Sequence, residues 1–105
     1  MVKLTRITEI LSTHGVDVQW LQLQDDNSYL DKGNIRVRHE PSKSEEIFIE
    51  AGYTSADYEA IFTETAVARR DRLVFDGKTW QILDSLKRVA VGETFYEATV
   101  RRLLA

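Results

Sequence analysis

The run ARRDRLVFDGKTWQIL, residues 68–83, constrains this chain more than any other stretch. Asp76-Gly77 lies between two apolar alternations. A two-residue Asp-Gly loop in that setting is a strong hairpin signal, because a type I′ turn needs positive φ at both central positions. Centring the turn there pairs Phe75 with Lys78, Val74 with Thr79, Leu73 with Trp80 and Asp71 with Ile82. Leu73, Phe75, Trp80 and Ile82 then share one face and form the expected core of the hairpin. Arg72, Val74, Thr79 and Gln81 share the other. One apolar and one mostly polar face is what an antiparallel sheet packed on a core requires.

A second hairpin is expected downstream. Val89 and Val91 lead into a Gly92-Glu93 turn, and Tyr96, Ala98 and Val100 share a face on the returning strand. Upstream, Val16, Val18 and Trp20 alternate with Asp17 and Gln19. After Trp20 the apolar side passes to Leu21 and Leu23, which predicts a bulge or bend at Trp20-Leu21. Residues 25–34 read as a polar connection, and 35–39 return to alternation through Ile35 and Val37. Pro41, the single proline, opens a loop over 41–46. Residues 46–53 fit a strand through Ile47 and Ile49. Residues 54–66 fit a helix capped by Ser55, or a strand near 58–64 after a turn, and the strand is favoured. At the N-terminus, Leu4, Ile7, Ile10 and Leu11 fall at helical spacing before His14-Gly15. A helix this short needs a dock, its own barrel or a neighbouring subunit. The sum is a mainly β chain: a small antiparallel barrel or sandwich with a short N-terminal helix and a long middle loop.

With 105 residues and 43% hydrophobic content, the chain suits one domain, 1–105. It has no cysteine, so disulfides and thiolate metal sites are excluded. No apolar run approaches the length of a membrane span, and polar residues break the first fifteen positions, so a cytosolic product, or one assembled in the cytosol, with no membrane partner is expected. The net charge of -3 is uneven. Residues 1–67 carry six Lys/Arg and twelve Asp/Glu, a balance of −6, and residues 68–105 a balance of +3. Such a dipolar subunit suits head-to-tail stacking on copies or partners.

The residues that might carry chemistry are scattered. His14 and His39 have no nucleophile–base partner nearby in sequence and read as loop or strand-edge residues. Asp25, Asp26, Asn27 and Asp31 invite comparison with a calcium loop, but its fifth and sixth positions fall on Tyr29 and Leu30 instead of a ligand and Gly. Glu45, Glu46 and Glu50 read as a solvated acidic loop, and the five glycines are dispersed at turns. No enzyme and no cofactor are expected. Arg69, Arg70, Arg72, Lys87, Arg88, Arg101 and Arg102 would suit a single-strand nucleic-acid-binding barrel. Such a surface needs exposed aromatics among the basic residues. Phe75 and Trp80 are assigned inward, and the sequence pI of about 5.4 runs against it.

Residues 68–103 also resemble the C-terminal part of the small head–tail joining proteins of long-tailed phages, the head-closure, stopper or adaptor family. The matching parts are Arg70-Asp71-Arg72-Leu73, Asp76-Gly77, Trp80-Gln81-Ile82, a variable loop over 84–94 and a final strand over 95–103. Arg70 stands where the family often has Gly. The resemblance implies a non-catalytic β-barrel without a cofactor, which forms a ring below the portal, closes the DNA-filled head and offers a platform to the tail. The implied partners are copies of itself, a portal or adaptor protein, a tail-completion or tail-tube protein, and packaged DNA in the channel. The implied location is the virion neck, with assembly in the host cytoplasm, for a phage or prophage product. The candidate channel or interface residues are Glu40, Pro41, Glu45, Glu46, Glu50 and Asp57 in the acidic middle region, with Arg69 and Arg70 on a basic rim. Acidic groups beside the channel would keep DNA phosphate from sticking to the wall.

Overall fold

The computed structural model describes residues 6–41 and 49–104. A helix, α1 (Ile7–His14), precedes six strands: β1 (Val16–Leu23), β2 (Tyr29–Pro41), β3 (Tyr58–Thr63), β4 (Arg72–Phe75), β5 (Lys78–Ala90) and β6 (Glu93–Arg102). They close into an antiparallel barrel in the order β1-β2-β3-β6-β5-β4. The last seam joins β4 back to β1 through Gln19–Val74, Trp20–Leu73 and Leu21–Arg72. Closure pairs β1 with β4, the two strands that would be the edges of a flat six-stranded sheet, so of the two expected architectures the barrel is the one formed.

The Asp76-Gly77 hairpin has the expected register, with Leu73 opposite Trp80 and Phe75 opposite Lys78. Asp76 (φ 53) and Gly77 (φ 69) both take positive φ, as a type I′ turn demands. Leu73, Phe75, Trp80 and Ile82 are all buried, and they pack with Val18, Val37, Ile61, Val67, Ala98 and Val100. Phe75 and Trp80 stack with ring centroids 4.9 Å apart. Full burial of side chains of this size stabilises by roughly 1.5–3 kcal/mol each, which makes this interior the main source of stability.

Asp71 fastens the hairpin to the rest of the barrel. Its buried carboxylate accepts hydrogen bonds from Trp20 Nε1 (3.0 Å), the Leu23 amide (3.0 Å) and the Ala68 amide (3.1 Å). One side chain therefore ties the end of β1 to the segment entering β4. Arg70, just before it, has φ 76, a conformation that glycine adopts without a Cβ penalty.

Several sequence expectations change. The polar connection at 25–34 is shorter than expected, because β2 starts at Tyr29 and only 24–28 form the turn. The irregularity near Trp20 exists, but the extra residue lies in β2. Gln19 pairs with Asn34 and Leu21 with Asp31, so Trp20 faces both Lys32 and Gly33, and Gly33 has φ 83. β1 itself stays in phase; Leu21 and Leu23 are half-buried on its outer side.

The strand expected over 46–53 does not form where the chain is described. Residues 49–50 are irregular and 51–52 turn; 46–48 lie outside the described residues. Residues 54–66 contain a 3₁₀ turn (Ser55–Asp57) and then β3, and Thr54 rather than Ser55 precedes the turn. The second hairpin turns at Val91-Gly92, not Gly92-Glu93, since Ala90 pairs with Glu93. Val91 accordingly takes φ 53, unusual for a β-branched residue. The loop expected over 84–94 is mostly strand. A one-residue bulge at Leu83 bends β5, which continues to Ala90 beside β6.

The helix settles on its own barrel. Ile7 and Leu11 are buried, Arg36 Nε donates to the Leu11 carbonyl (2.9 Å), and Thr8 Oγ1 donates to Glu93 Oε1 (3.0 Å). Leu4 lies outside the described residues.

Candidate functional site

Register across the sheet dictates the outer surface. Tyr58 of β3 pairs with Arg101 of β6, Arg101 with Gln81 of β5, and Gln81 with Arg72 of β4. Cross-strand partners point to the same side, so these four side chains form a row on the outer face of the barrel wall, with Tyr58 itself buried beneath Glu50 and Tyr53. Beside that row lies an open groove of about 540 Å³, lined by Glu50, Tyr58, Arg69, Arg70, Asp84, Thr99 and Arg101 among others. The sequence candidates Glu50, Arg69 and Arg70 therefore meet in one place.

Their states differ. Glu50 Oε2 is 2.7 Å from Arg101 Nη1, and the Arg101 guanidinium lies 4.5 Å from the centroid of the Tyr53 ring. Burial works against the Arg101 charge, but the Tyr58 hydroxyl, Tyr53 and Glu50 together hold it above its ordinary pKa. Arg72 covers the Tyr29 ring at 4.3 Å, Arg102 pairs with Asp57 at 2.7 Å, and Arg88 pairs with Glu97 at 3.0 Å. Among the described residues Arg69 and Arg70 are exposed and make no ion pair, which leaves them to act on a partner.

The acidic middle region is split. Asp57, buried, accepts a hydrogen bond from the Thr54 amide (2.9 Å) and another from Arg102 (2.7 Å). The Thr54 amide, more than Arg102, holds its carboxyl below the ordinary range against the opposing effect of burial. Glu50 and Asp57 thus fasten the 49–57 segment to β6. The Glu50 amide adds a bond to the Tyr58 hydroxyl at 3.1 Å. Glu40 and Pro41 belong to the end of β2. Glu40 lines a smaller groove of about 300 Å³ on another part of the wall, with Ile7, Ile10, Arg38, Phe62 and Phe95. Glu45 and Glu46 lie outside the described residues.

The remaining polar candidates have local partners. His39 Nδ1 lies 2.6 Å from Glu59 Oε2, and its ring lies 4.6 Å from that of Phe75. Asp31 accepts from the Gly33 amide and from Gln19, and Asp26 accepts from Ser28, whose hydroxyl and amide lower its pKa. Among the described residues no three His, Cys, Asp or Glu side chains converge as metal ligands.

Two features were not anticipated from the sequence. The first is the row Tyr58–Arg101–Gln81, which needed the β3–β6 register to be seen. The second is an arm. β4 has only four residues against thirteen in β5, so β5 and β6 run on past it as a two-stranded ribbon closed at Val91-Gly92. The arm exposes Leu86, Val89 and Val91. The apolar alternation of the arm is visible in the sequence, but the shortness of β4 that uncovers it is not.

No protein-family model matches the chain, and a comparison with curated proteins gave no match either. No described helix is long and apolar enough to cross a membrane.

Proposed function

We propose that this protein is a structural component of a phage neck, a head–tail joining barrel that docks below the portal, closes the filled head and presents a platform to the tail. The observation that carries the proposal is the Arg70–Ile82 hairpin. The parts that resemble the head–tail joining family form a tight hairpin in the wall of a closed barrel, which agrees with the fold the resemblance implies. Residue 70, where the family often has Gly, has the positive φ that favours Gly. The exposed arm, the grooves on the outer wall, and Arg69 and Arg70, which make no ion pair among the described residues, supply surfaces for neighbours. A tail-completion ring is the closest alternative role for the same barrel.

A single-strand nucleic-acid-binding role has less support. Phe75 and Trp80 are interior, and Tyr29 and Tyr53 already lie under Arg72 and Arg101, so the basic surface offers few free stacking faces. Sedimentation of the protein with its cognate portal decides the matter. A portal-bound complex that survives moderate salt supports the neck role. No complex, together with salt-dependent oligonucleotide binding lost on Arg69→Ala and Arg70→Ala, would replace it with the nucleic-acid role.

A further inference from the structure

The barrel is closed, but its strands are unequal, and β5 and β2 run furthest past a neighbour. β4 pairs with β5 only as far as Gln81, with a last backbone hydrogen bond at Ile82. β3 pairs with β2 only from Val37 onward. Among the described residues, β5 over 84–90 and β2 over 29–34 therefore each have one side paired and one side open. Almost every residue of both stretches is exposed.

The ladder fixes which backbone groups face the open sides. In β5, Ala90 and Glu93 flank a two-residue turn and form a hydrogen-bonded pair. Alternation then sends the amides and carbonyls of Ser85, Lys87 and Val89 outward. In β2, the Gln24 amide bonds to the Ser28 carbonyl, and the same alternation turns the groups of Tyr29 and Asp31 outward. Rows of unpaired N–H and C=O groups are templates for another strand. The apolar residues beside them, Leu86 at 53%, Val89 at 71% and Leu30 at 50% exposure, would lose water on pairing.

We propose that copies of this chain join edge to edge, the open side of β5 in one copy pairing with the open side of β2 in the next. Charge selects this combination. Lys87 stands at the centre of one edge and makes no ion pair among the described residues; Asp31 stands near the centre of the other. Pairing β5 with β5 about its centre would set Lys87 against Lys87, and pairing β2 with β2 would set Asp31 against Asp31. Like charges directly opposite are destabilising, and opposite charges are favourable. The mixed pairing is heterologous: each copy keeps one free edge of each kind, so assembly continues until a ring closes. The contact sharpens the ring of the neck role and rests on that role only for the closure of the ring; the pairing itself rests on the two edges.

The test is sedimentation velocity of the full chain over a wide concentration range, with circular dichroism as a check on folding. The wild type associates with rising concentration, more so at low salt. Val89→Pro removes only an amide that faces the open side, a position where an edge strand tolerates proline, so the variant stays folded and monomeric. Lys87→Glu converts an attraction to a repulsion and weakens association about tenfold, as does Asp31→Lys. The double variant recovers it. A wild type that remains monomeric throughout, association indifferent to Val89→Pro and Lys87→Glu, or a folded double variant as weak as the singles would overturn the pairing. None of these results bears on portal binding, so the two proposals fail separately.

Discussion

Replacing Asp71 by Ala removes the acceptor for three donors at once: Trp20 Nε1, the Leu23 amide and the Ala68 amide, all 3.0–3.1 Å away. Asp71 is 2% exposed, so water does not reach these donors without local opening. A buried donor left without its acceptor costs about 1–3 kcal/mol. Trp20 is only half-buried and recovers part of its loss, which brings the expected total to about 3–5 kcal/mol. Asp71→Asn keeps one oxygen and loses one or two of the three bonds, for about 1–3 kcal/mol. A domain of this size has roughly 5–15 kcal/mol in all, so Asp71→Ala brings it close to unfolding. Urea titration at neutral pH measures the effect, with an unchanged slope showing that the unfolded state is the same. The order is wild type, then Asn, then Ala. An Ala variant within about 0.5 kcal/mol of wild type would refute the claim that this carboxylate joins β1 to the hairpin.

Trp80→Ala should cost roughly 3–5 kcal/mol in the same assay, since Trp80 is 3% exposed and stacked on Phe75; no loss would place the ring at the surface. Val91→Asn should stabilise by about 1 kcal/mol, because Asn tolerates the φ of 53 that a β-branched residue resists. A loss of stability would mean that the Val91 side chain holds the arm in place. The Asp57 carboxyl is held below its ordinary value of 3.8, so its contribution to stability is complete above that value and is lost as pH falls through its lower folded value. Urea midpoints on acidification should fall less steeply for Asp57→Asn than for wild type; parallel curves would contradict the role of Asp57 in fastening the 49–57 segment.

The parts of the fold governed by local chemistry were legible in the sequence. The Asp76-Gly77 turn fixed a register, and the register fixed Leu73, Phe75, Trp80 and Ile82 as interior. Features that depend on partners distant in sequence were not. Leu21 and Leu23 suggested a slip in β1, yet the extra residue sits across the ladder at Lys32-Gly33, where a polar run concealed a strand. Val91 defeated the turn rule by taking a conformation its side chain disfavours, with the two-residue loop of the long β5–β6 ribbon setting its φ. Of the candidate site residues, Glu50, Arg69 and Arg70 converge beside Arg101, which pairs with both Tyr58 and Gln81, a juxtaposition created by the pairing of β6 with β3 across a long sequence separation. In the sequence Asp71 stood only as the partner of Ile82 and as part of the Arg70–Leu73 motif, and its three donors show it to be structural.

The proposed role, completion of a phage neck, is tested most directly by electron microscopy of particles made without this protein. Deleting its coding sequence from the phage or prophage should yield heads and free tails that fail to join, with attachment restored by the wild-type protein. Normal numbers of tailed, infectious particles from the deletion would contradict the account.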